Sequence, residues 1–142
     1  MNKPKFKIIF DIFGVLISSG FKSSANDLSQ VLDIPIPTIQ KFYEKWEPDF
    51  DRGIITSKEF WKYIIRDLNI YFDEWYLLNN MVLDNYKLNH SSYELYKRYS
   101  KITEVYLLSN TRKEWFEILD KKFSITPHCE KAFLSYEIGL IK

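Results

Sequence analysis

Four residues of this chain have side chains that could do chemistry together: Asp11, the adjacent Ser109 and Asn110, and Lys142. A carboxylate can attack as a nucleophile, a hydroxyl and an amide can hold an oxyanion, and a lysine can neutralise charge that builds during group transfer. Taken one at a time, each has an ordinary explanation. An Asp that ends an apolar run is commonly a turn residue, and a lysine at 142 reads as solvated. In "SNTRKE", Thr111 and Glu114 have capping-box spacing, which predicts a helix start there. Position unites the four, because each follows a segment with strand character. A parallel sheet would bring them to its carboxyl edge, where open α/β folds bind ligands. A helix starting beside Asn110 would add free N–H groups and the positive end of a dipole, which favour phosphate.

The elements that must position these groups are legible as periodicities. "KIIFDIFGVLIS" reads as a buried strand through Ile8, Ile9 and Phe10, with Gly14 freeing the backbone to leave it. A helical face follows in Ala25, Leu28, Val31 and Leu32 until "IPIP" breaks it, then a second in Ile39, Phe42, Tyr43 and Trp46, which Pro48 is expected to close. Thr56 and Glu59 form a capping box ahead of a stripe of Phe60, Trp61, Ile64, Ile65 and Leu68. Two more helices are predicted in "DEWYLLNNMVLDNY" and in "SSYELYKRYSK", the latter with a capping box from Ser91 to Glu94. Strand character returns in "ITEVYLL", a helix follows through Trp115, Phe116 and Leu119, and "KAFLS" is a third strand, after which "YEIGLIK" is expected to run without a helix. The pattern is one strand, a helical block, then β-α-β.

Composition narrows the partners. The 142 residues suit one domain; 46% are hydrophobic and 18% aromatic, enough for a core and unlike a disordered chain. Twenty basic residues against 19 acidic ones leave a net charge of +1, which gives no electrostatic case for nucleic acid or an anionic membrane. No run approaches the roughly 18 apolar residues of a membrane span. A single cysteine, Cys129, precludes an intrachain disulfide and suits a cytoplasmic location. His90 and His128 lie far apart, and His128-Cys129 has no second pair to complete a zinc site.

With three strand-end motifs in order and a helical insert between the first two, the sequence resembles the haloacid dehalogenase superfamily, in particular phosphatase-like members with an α-helical cap. Motif I is similar to "IIFDIFGVLI", motif II to "VYLLSN", and "SYEIGLIK" to the approach to the motif III lysine. The resemblance implies an α/β fold: a Rossmann-like parallel core from residues 1–18 and 98–142, incomplete at its end, and a helical cap from 19–97. It implies Asp11 as the nucleophile that forms an aspartyl-phosphate, Mg²⁺ on its carboxylate and on the backbone carbonyl of Phe13, Ser109 and Asn110 as phosphate binders, and Lys142 steadying the transferring group. The expected substrate is a small phosphorylated metabolite, with the cap excluding water and reading it.

Two departures from the family pattern leave alternatives open. Many family phosphatases have a second Asp two residues after the nucleophile, as general acid; Phe13 stands there, at a cost of roughly 10²–10⁴ in rate unless another group serves. Dehalogenase members tolerate an aromatic at that position, so attack of Asp11 on the carbon of a 2-haloacid is the second reading, although Val15 occupies a site where they usually have threonine. The acidic motif IV of the family has no candidate, since neither Asp120 nor Glu130 follows the third strand, and the Mg²⁺ site is expected to be incomplete. The chain then resembles the front two-thirds of an enzyme, and a non-catalytic fragment that binds a protein is the third reading. Without a strand on its far side, the first strand is expected to lie at a sheet edge and to pair with a second copy or with a separately encoded C-terminal piece.

Overall fold

A computed structural model describes residues 6–142. Three parallel strands, β1 (Lys7–Phe10), β2 (Glu104–Ser109) and β3 (Lys131–Leu134), pair in the order β1-β2-β3. Phe10 faces Leu107 and Ser109 faces Leu134, so all three strands deliver their carboxyl ends to one edge. Between β1 and β2 lie α1 (Gly20–Leu32), α2 (Ile36–Asp51), α3 (Ser57–Asp67), α4 (Trp75–Asp84) and α5 (His90–Ser100); α6 (Lys113–Phe123) and a 3-10 turn at Thr126–His128 connect β2 to β3. The fold is therefore α/β, as expected. Its crossing points are stitched together. Ser18 N–H donates to the Lys87 carbonyl at 2.9 Å and Asn89 N–H to the Leu16 carbonyl at 2.8 Å, where the chain enters and leaves the helical block.

Local chemistry explains most of the helices. Thr56 and Glu59 cap α3 reciprocally, and Phe60, Trp61, Ile64 and Ile65 are buried along one stripe. The ring of Phe60 stacks on Phe50 of α2 at 4.6 Å, and Phe50 meets Trp115 of α6 edge-on at 5.2 Å, so one aromatic cluster joins the helical block to the helix after β2. α5 packs on β2. Gly20 is dictated by close approach: a Cβ there would stand 2.4 Å from the ring of Tyr86.

Several local expectations are corrected. Pro48 does not close α2, which runs on to Asp51, because the three preceding turns are already packed through Ile39 and Tyr43. Val31 is exposed, and Ser24 takes a buried place on α1. The box at Ser91 and Glu94 does not form: Asn89 caps α5 by accepting from Ser92 N–H, while Glu94 pairs with Lys97 at 2.6 Å. After β3 the chain makes one helical turn, α7 (Ser135–Ile138), ended by Gly139 at φ +71°. Nor is β1 a fully buried strand. It lies at the sheet edge, and Ile9, with Leu108 and Phe133, is on a face that the described residues leave exposed.

Candidate active site

β1 ends on Phe10, and the chain turns at once. Gly14 adopts φ +81°, open to glycine at little cost, and its N–H donates to the Ile17 carbonyl at 2.6 Å. The tight turn leaves Asp11 half-exposed at the edge, with its Oδ1 accepting from Ile12 N–H at 2.7 Å. Its other oxygen lies 2.6 Å from Lys142 Nζ. Lys142 Nζ also donates to the Leu108 carbonyl at 3.2 Å, and the Lys142 N–H donates to Asn110 Oδ1 at 2.9 Å. Asp11, Asn110 and Lys142, from three separate parts of the sequence, thus form one connected group. Ser109, the last residue of β2, adjoins it but is buried, its hydroxyl donating to the Asn110 carbonyl at 3.2 Å.

The helix after Asn110 does not begin as its spacing predicts. α6 starts at Lys113 with Arg112 in the capping position, and Thr111 forms no capping box. The reason is long-range competition. Thr111 N–H donates to Ser135 Oγ at 2.8 Å, and Glu114 reaches across to accept from the N–H and hydroxyl of Ser57, at the start of α3. The Thr111 hydroxyl is left buried with no hydrogen-bond partner among the described residues.

Sequence reasoning missed the group that joins this loop to the helical block. Arg112 is buried, its Nε 2.7 Å from Asp51 Oδ1 and its Nη2 paired with Glu47. Burial opposes the guanidinium charge, but Tyr43, Asp51, Tyr86 and Glu47 together outweigh it and hold the pKa above its ordinary value. The Asp51 carboxyl is pushed up to about 6, because the cost of burial exceeds the attraction of Arg112. Burial likewise raises Tyr43 and Tyr86. Ser135 completes the join by donating to the Asp51 carbonyl at 2.5 Å. No local signal could have revealed these residues: in sequence Arg112-Lys113 is an ordinary basic pair at a helix start.

Asn110 lines two cavities. One, of about 170 Å³, is lined by Ser109, Asn110, Ser135 and Lys142 on one side and by apolar residues, Leu108 and Leu140 among them, on the other. The other, of about 220 Å³, lies on the side of the helical block and is lined by Phe13, Tyr43, Glu47, Asp51, Tyr86 and Arg112 as well as Asn110. Phe13 therefore lines the cavity on the side of the helical block.

A metal finds little here. Among the described residues no group of three or more His, Cys, Asp or Glu side chains could hold an ion. Asp120 is consumed by the N–H groups of Ile125 and Thr126 and by the Thr126 hydroxyl, and His128 packs edge-on against Tyr93 and Tyr96. Asp11 and the Phe13 carbonyl are one carboxylate and one neutral oxygen, short of the six oxygens Mg²⁺ demands. The described residues do not by themselves make the Mg²⁺ site that the sequence resemblance implies. None of their helices is long and apolar enough to cross a membrane.

No family model matches the sequence, and no curated protein matches it. Solved structures do. An HAD-family enzyme from Bacteroides thetaiotaomicron, in complex with magnesium and inorganic phosphate, superposes with a TM-score of 0.72 at 21% identity, over 96% of this chain and 71% of that one. The HAD-hydrolase YfnB from Bacillus subtilis, bound to magnesium, gives 0.65 at 16% identity over 96% and 67%. L-2-haloacid dehalogenase from Xanthobacter autotrophicus, with chloropropionic acid covalently bound, gives 0.62 at 13% identity over 96% and 59%. With its parallel strand order, its helical block after β1 and these likenesses over nearly all its length, the chain has the fold of the haloacid dehalogenase-like superfamily.

Proposed function

We propose that this chain is a hydrolase of small phosphomonoesters that uses Asp11 as its nucleophile. The observation that carries the reading is the 2.6 Å pairing of Asp11 with Lys142, whose backbone is held by Asn110 at the end of β2. A carboxylate oxygen of Asp11 attacks phosphorus as the bond from phosphorus to the ester oxygen breaks, giving an aspartyl-phosphate and an alcohol that takes its proton from solvent or from another group, since Phe13 has none to give. Water then cleaves the acyl phosphate and restores Asp11. Lys142 offsets the charge on the carboxylate and on the transferring group, and the Asn110 side chain holds that lysine in place. The magnesium and inorganic phosphate in the Bacteroides neighbour support the phosphate reading.

The test is release of phosphate from p-nitrophenyl phosphate, with Mg²⁺ in the buffer, by the wild type and by Asp11→Asn. Turnover abolished by the substitution is expected. Halide release from 2-chloropropionate without phosphatase activity would replace this reading with dehalogenation, and no turnover of either substrate would make the chain a non-catalytic member of its fold.

A further inference from the structure

The phosphatase reading leaves open what the ester carries besides its phosphate, and the cavity between Asn110 and the helical block bears on this. Asn110 lines this cavity as well as the one beside Ser109 and Lys142, and Phe13, close after Asp11 in the chain, lines it too, so on the phosphatase reading this is where the alcohol portion of the ester lies, beside Phe13, Tyr43 and Arg112. About 220 Å³ is less than the roughly 300–1,000 Å³ of sites for drug-sized ligands, which makes the alcohol small. The lining is polar except for its aromatic rings. Two tyrosines and Asn110 can donate or accept, while Glu47, whose side chain is about a third exposed, offers acceptors for hydroxyl groups.

Charge decides the rest. Arg112 is the only cation among the described residues that line this cavity, and both Glu47 and Asp51 already pair with it. With both acids ionised, the lining carries one net negative charge. A second anionic group on the substrate would have to displace a buried carboxylate from the guanidinium and then sit beside it, a costly exchange in a partly desolvated site. A chain of neutral hydroxyls meets no such opposition and finds acceptors waiting.

Resting on the phosphatase reading, we infer that the substrate is the monophosphate of a small neutral polyhydroxy compound, a polyol or sugar, and that this cavity rejects phosphorylated carboxylic acids. The inference also disfavours 2-haloacids, whose carboxylate would need the guanidinium that Glu47 and Asp51 occupy.

Binding separates this inference from the question of turnover. Titration calorimetry on Asp11→Asn, which blocks the reaction, would compare sorbitol 6-phosphate with 3-phosphoglycerate. We expect the polyol phosphate to bind at least about tenfold more tightly, the equivalent of about 1.4 kcal/mol. Glu47→Gln, at a partly exposed position and introduced into the same background, should narrow that ratio to about threefold or less by removing the repelling charge. Equal affinities, tighter binding of 3-phosphoglycerate, or no binding of either ligand would overturn the inference. Hydrolysis of p-nitrophenyl phosphate by the wild type, measured in parallel, tells whether the phosphatase reading falls with it or stands alone.

Discussion

Replacing Asp51 by Asn probes the balance of the buried cluster at the motif II loop. Asp51 is 7% exposed, its carboxyl is 2.7 Å from Arg112, and burial outweighs that guanidinium, moving its pKa from 3.8 to about 6. A folded pKa above the unfolded one means that the native state favours the protonated acid. The stability associated with Asp51 is therefore complete below about pH 3.8 and is lost as the pH rises through 6. At about 1.36 kcal/mol per unit of pKa difference, the full loss is about 3 kcal/mol, of which roughly half falls between pH 5 and 7.5. Asn preserves the shape and removes the titration, while Glu47 remains to pair with Arg112. The stability of the wild type minus that of Asp51→Asn should fall by about 1–2 kcal/mol between pH 5 and pH 7.5. Urea titrations followed by tryptophan fluorescence would measure it, since Trp61 and Trp115 are fully buried. A difference that is constant across this range, or that grows with pH, would refute the reasoning and make Asp51 a net favourable anion held by Arg112.

Three other substitutions test the frame and the site. Asn79 Oδ1 accepts from the indole N–H groups of both Trp61, at 3.2 Å, and Trp115, at 2.6 Å; Asn79→Leu strands two buried donors and should cost about 2–5 kcal/mol in chemical denaturation, with a loss under about 1 kcal/mol counting against that role. Gly20→Ala forces a methyl against the Tyr86 ring and Val82 Cγ1, 2.9 Å away, and should lower stability by about 1–3 kcal/mol; an unchanged melting temperature would mean that the Tyr86 ring moves aside freely. Ser109→Ala removes a hydroxyl whose present hydrogen bond is a 3.2 Å contact with its neighbour, so the fold should hold while vanadate affinity drops by about 1.5–3 kcal/mol; calorimetry giving equal affinity would remove Ser109 from the phosphate site.

How much of this was legible in the sequence varies with the range of the interaction. The Thr56-Glu59 box and the Phe60, Trp61, Ile64 and Ile65 stripe were readable because both partners of each contact lie within one or two turns. So was the meeting of Asp11 and Asn110, which directly follow β1 and β2 at one edge of a parallel sheet, whereas Lys142 reaches them only after the helical turn that follows β3. The start of α6 was misread because Thr111 and Glu114 had better partners than each other, Ser135 and Ser57, in segments that the local pattern does not connect. For β1, an apolar run such as Ile8-Ile9-Phe10 specifies a strand and not its burial: strand order decides that, and among the described residues β1 pairs with β2 alone, at the sheet edge expected for it.

The residue types and order along the chain determined the α/β plan, the turn at Gly14 and the side chains present at the carboxyl edge. Tertiary structure alone decided what surrounds them. Arg112 and Glu47 stand 65 positions apart, and nothing in either neighbourhood marks them as partners. Their pairing follows from α2 packing against α7 and, through Phe50 and Trp115, against α6, where a guanidinium that has left water must find carboxylates. Periodicity can state which face of a helix is buried; which charges then meet across the buried space depends on the packing of elements distant in sequence, and that packing gives the cavity lined by Phe13, Asn110 and Arg112 its shape and charge.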